Sequence, residues 1–66
     1  MTKFSCTMTS GSYLYYVTLV AEDENQAREM AFAETKRNRL TDWSVAVLEA
    51  GVPGPAQLLA SGSREL

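Results

Sequence analysis

The chain has 66 residues, of which 45% are apolar and 21% charged, and its eight acids, six bases and no His give a formal charge of −2. That balance belongs to an ordinary globular domain and excludes a charge-rich disordered chain or a surface generally attractive to nucleic acid. A chain this short makes one domain, 1–66, with a core one thin layer deep, too shallow for an enclosed substrate pocket.

From Lys3 to Thr9 the residues alternate, with Phe4, Cys6 and Met8 apolar and their neighbours polar, which predicts a half-buried strand. Ser10-Gly11-Ser12 is a turn cluster, and Tyr13 to Ala21 is rich in β-branched and aromatic residues, so the two runs form a hairpin. An even loop pairs Met8 with Tyr13, Cys6 with Tyr15 and Phe4 with Val17 on one face. Leu14, Tyr16, Thr18 and Val20 then point the other way, and a one-residue change in the loop would exchange the two sets.

Glu22 to Gln26 opens a helix: Asp23 can cap it, Gln26 can reach back, and the acids suit the positive helix end. Ala27, Met30 and Ala31 form the stripe that meets the sheet, and the helix is expected to run from Glu24 to Arg37. Lys36, Arg37 and Arg39 suit its negative end or, as the alternative, touch phosphates. Phe32 falls off the stripe, as an anchor for a partner or a lid on the connection around Leu40.

Asn38 to Asp42 reads as that connection, and Trp43 to Ala50 as a third strand. Residues 51–55, Gly-Val-Pro-Gly-Pro, must form a loop. Ala56 to Ser61 reads as a short edge strand and 62–66 as a frayed tail. The expected fold is therefore α+β in two layers, a ββαβ or ββαββ antiparallel sheet of three to four strands in order 2-1-3-4 with one helix on one face.

The absence of His removes imidazole acid–base chemistry and His-metal ligation, and one Cys cannot build a thiolate metal cluster. Cys6 occupies an inward-alternating position and reads as buried packing. The acids Glu22, Asp23 and Glu24 lack the enclosure that separates an acid from a base, and Gly51, Gly54 and Gly62 match no phosphate-binding fingerprint. The expectation is a non-enzyme without metal or cofactor. One Cys also excludes an internal disulfide framework, and the N-terminal residues lack a signal-peptide pattern. The longest apolar-rich run is far below the roughly 20 residues of a membrane span, so the expected location is cytoplasmic.

Two surfaces then stand out. Glu22, Asp23, Glu24 and Glu29 imitate a line of phosphates or, alternatively, only complement the helix dipole and aid solubility. Tyr16, with Leu14, Val20 and either Trp43 or Leu48, faces away from the helix and offers aromatic anchors, unless residues 52–66 or a homodimer cover that face.

The hairpin KFSCTMTSGSYLYYVTLV, the helix EDENQAREMAFAETKR and the returning strand WSVAVLEA together resemble the small phage-encoded anti-CRISPR proteins, in particular inhibitors of type I-C systems. The resemblance implies a stoichiometric inhibitor that docks on the RNA-guided surveillance complex, Cascade, in the host bacterial cytoplasm and blocks target-DNA recognition. It further implies a basic DNA-binding surface on a complex subunit as partner, without nucleic-acid or membrane contact, engaged by Glu22, Asp23, Glu24, Glu29, Tyr16 and Trp43. A charge of −2 is modest for a DNA mimic. The alternative is a small homo-oligomeric interaction or regulatory module unrelated to CRISPR.

Overall fold

The computed structural model describes residues 1–36 and 42–66. Strands β1 (Thr2–Ser10) and β2 (Tyr13–Ala21) are followed by helix α1 (Glu24–Thr35), then β3 (Ser44–Ala50) and β4 (Gln57–Glu65). The four strands form one antiparallel sheet in the order β3-β1-β2-β4, and α1 covers one face. The architecture is the expected α+β, two-layer ββαββ arrangement, with β1 between β2 and β3.

The hairpin closes in two residues, Gly11 and Ser12, with Ser10 opposite Tyr13. Gly11 has a φ of 60° at the first loop position, a backbone that glycine adopts without a Cβ penalty. Cys6 therefore faces Val17 and Phe4 faces Leu19, a slip of two residues from the expected register. An even slip keeps every side chain on its predicted face. Phe4, Cys6, Met8, Val17 and Leu19 are buried toward the helix.

The helix start follows its local sequence. Asp23 is the N-cap and its carboxylate accepts from the Gln26 N–H at 2.8 Å, while Gln26 Oε1 accepts from the Glu22 N–H at 2.6 Å. One donor that the helix itself leaves open, the Gln26 N–H, is thereby satisfied, together with the Glu22 N–H just before the cap. Ala27 and Ala31 are fully buried, and their small side chains let the helix sit close on the sheet, with Met30 packed beside them. The helix ends at Thr35, short of the expected Arg37, because Lys36 turns into the left-handed region (φ 53°) and donates its N–H to the Phe32 carbonyl. Lys36 is thus the C-cap, whereas Arg37, Arg39 and Leu40 lie outside the described residues.

The last strand departs from expectation in place and length. β4 lies beside β2, not beside β3, and pairs with it from Tyr13 opposite Glu65 to Val20 opposite Gln57. β2 and β4 are both nine residues long and β3 only seven, so this edge offers the longer ladder. Residues 51–56 cross the end of the sheet to reach it, anchored where the Val52 N–H donates to the Met1 carbonyl at 2.8 Å. Of residues 62–66, expected to fray, 62–65 belong to the β4 ladder, and the Leu66 N–H beyond it donates to the Ser12 carbonyl at 2.7 Å. Among the described residues no helix is long and apolar enough to cross a membrane.

Candidate partner-binding surfaces

The acidic group sits where the chain leaves β2 and enters α1, and Glu22, Asp23, Glu24 and Glu29 are all exposed. Their roles differ. Asp23 is committed to the cap, and Glu24 Oε1 lies 2.8 Å from Arg28 Nη1, one helical turn on. Arg28 Nε also donates to the Trp43 carbonyl at 3.3 Å, tying the helix to the start of β3. Between Glu22 and Glu29, four acids stand against the one base Arg28, a local charge of −3 that exceeds the net charge of the whole chain.

Tyr16 lies on the opposite layer. It alternates with the half-buried Tyr15 and the buried Val17 and so points away from the helix, at the centre of the open face, with 39% of its surface exposed. Thr7 on β1 and Gly62 on β4 are its cross-strand neighbours. A Cβ at residue 62 would stand 2.6 Å from Tyr16 Cζ, so the phenol reaches over β4 through space that only glycine leaves open. The rest of this face is less apolar than expected: β1 contributes Ser5, Thr7 and Thr9, while Val20 is buried and Leu14 half-buried. It is the solvated face of an antiparallel sheet with one aromatic ring at its centre.

Trp43 is not an anchor on that face. Its side chain is 2% exposed, part of the core between sheet and helix, because it shares the parity of Val45 and Val47 and points toward α1. Its bulk fills the space that the two alanines of the helix leave. Leu48, the other candidate, is the exposed one. The six expected contact residues therefore do not form one surface: four are on the helix layer or its entry, Tyr16 is on the far side of the sheet, and Trp43 is inside.

The periodicity missed a third surface. Val47, Phe4, Leu19 and Leu58 form one row across the sheet on the helix face. The central pair is 5% and 0% exposed, whereas Val47 is 63% and Leu58 41% exposed. A helix roughly 10 Å wide covers about two strands spaced some 4.8 Å apart, so a four-stranded sheet leaves a strip bare along each edge. Next to these residues, Leu48 on β3 and Leu59 on β4 are each left without a cross-strand partner at a shift in register, and both are exposed. The strand count and the single helix were the available signal.

Cys6 is fully buried between Val17 and Val45, and desolvation pushes its thiol above the usual value, against a smaller opposing effect from the Arg28 charge. A buried, protonated thiol is packing, not a nucleophile. Among the described residues there is neither an enclosed cavity nor a group of acids and thiol placed to hold a metal ion. No protein-family model, curated protein or solved structure matches the chain.

Proposed function

We propose that the protein acts by binding, as a stoichiometric inhibitor that docks on a type I CRISPR surveillance complex in the host cytoplasm and blocks target-DNA recognition. The observation that carries this reading is the exposed acidic entry to α1, where Arg28 offsets only one of four carboxylates. Such a group complements the Lys- and Arg-lined surface on which these complexes hold DNA. The partner is then a basic DNA-binding surface of one subunit, and neither metal, cofactor nor turnover is involved. The resemblance of the hairpin, helix and third strand to small anti-CRISPR proteins supplies the choice of complex.

The acids and Tyr16 lie on opposite layers, so a single flat partner surface engages one set or the other, and the charge assigns contact to the acids. The test is target-DNA binding by a purified type I-C complex titrated with the protein. Inhibition that saturates at a fixed ratio, and weakens at least tenfold in Glu22→Lys/Glu29→Lys, supports the reading. Unchanged DNA binding at excess protein overturns it, and inhibition lost in Tyr16→Ala but kept in the charge-reversed variant moves the contact to the open face.

A further inference from the structure

We propose that the outer edge of β3 pairs with the same edge of a second copy, joining two four-stranded sheets into one of eight strands with both helices on the same face. This does not depend on the CRISPR reading, since it follows from the edge alone.

Three observations converge on it. First, among the described residues β3 is an edge strand whose outer row of backbone donors and acceptors has no strand beside it, and nearly every residue of it is exposed. Second, the stretch from Ser44 to Leu48 carries no charge and no proline, the usual means of blocking an edge, and the single charge of the strand, Glu49, lies beyond it. Third, the core row stops abruptly at Val47, which is 63% exposed beside the buried Phe4. Burying a valine side chain contributes favourably wherever an apolar neighbour arrives.

A second copy supplies that neighbour because the strand is self-complementary. In an antiparallel pair about a two-fold axis at Ala46, Val45 stands opposite Val47 of the second copy and the reverse, both on the helix face, while Ser44 stands opposite Leu48. β-Branched cross-strand pairs are among the favourable ones. Glu49 then falls opposite residue 43 and meets no like charge. An interface of this kind is isologous, each patch meeting itself. The register shift at Leu48 confines the shared ladder to this stretch and keeps it from extending along the whole strand.

The experiment is sedimentation velocity over roughly three decades of concentration, combined with a crosslink at the axis. Cα atoms directly opposite in an antiparallel pair are about 4.5 to 5.5 Å apart, within disulfide reach. Ala46→Cys is expected to form a disulfide-linked dimer at least tenfold faster than Ala60→Cys, at a position on β4 that is also exposed. Ala46→Lys, which sets two ammonium groups across the axis, is expected to weaken the dimer at least tenfold while circular dichroism shows the fold retained. A monomer at every concentration overturns the proposal, as does a dimer that Ala46→Lys leaves intact or equal crosslinking at the two positions.

Discussion

Tyr16 and Gly62 face each other across the β2–β4 ladder, and the phenol ring occupies the volume in which any other residue at 62 would carry its Cβ. The pair ties the last strand to the centre of the open face. Glycine costs a strand roughly 0.5 to 1 kcal/mol relative to alanine, and here the aromatic side chain covers the backbone that the glycine exposes. Gly62→Ala should therefore fail to stabilise the protein while Tyr16 is present, because the ring must be displaced, and should stabilise it in a Tyr16→Ala background. A double-mutant cycle by urea unfolding is expected to give a coupling of about 1 kcal/mol or more; additive effects would mean that the two residues do not share the space.

Trp43 gives the largest single-site prediction. A domain of 66 residues has a stability of roughly 3 to 10 kcal/mol, and truncating a buried Trp to Ala typically removes about 3 to 5 kcal/mol. Trp43→Ala should lose its near-ultraviolet dichroism and unfold cooperatively only at much lower urea, if at all. Trp43→Phe should remain folded. Among the described residues the indole Nε1 is buried without a hydrogen-bond partner, so the phenyl ring loses volume but also removes an unsatisfied donor.

Cys6 links stability to alkaline pH. Burial raises its folded-state value above the 9.0 of a free thiol, so the unfolded chain releases this proton first as pH rises. In that range the unfolded state holds fewer protons than the folded one, and stability falls with pH. The contribution is therefore complete below about pH 9 and declines above it. Urea midpoints of the wild type minus those of Cys6→Ala, measured at pH 7, 8.5 and 10, should shrink only at the highest pH. A difference constant across the series would show the thiol to be accessible to water.

The helix entry separates structural acids from displayed ones. Asp23→Ala should cost about 0.5 to 2 kcal/mol through loss of the cap. Glu22→Lys and Glu29→Lys should each change stability by less than about 1 kcal/mol, since exposed charges near a helix start contribute no more than that. Thermal unfolding of the three variants distinguishes them, and a Glu22 or Glu29 effect as large as that of Asp23 would assign those residues to the fold. Charge reversal aimed at binding is best confined to Glu22 and Glu29, because Asp23 and Glu24 both have partners within the helix.

Much of this architecture was legible one element at a time. The alternation of Phe4, Cys6 and Met8 set the buried face of β1, Gly11 marked the turn, and the Asp23-to-Gln26 spacing marked where α1 begins. Each is a relation between residues a few positions apart, and neighbouring side chains and local backbone preferences are enough to produce it. The same alternation also placed Tyr16 on the open face, whatever the register slip of two residues.

The choice of β2 as the neighbour of β4, the burial of Trp43 and the bare strips along the sheet edges belong to the assembled molecule. Strand order depends on which edge offers the longer ladder once the helix has taken its place, and that competition is between segments more than 40 positions apart in some cases, such as Tyr16 and Gly62. Burial at β3 depends on the width of a helix laid over four strands, a length that no stretch of the chain records. Composition removed imidazole chemistry from consideration, but only packing decided which rings and carboxylates reach the solvent.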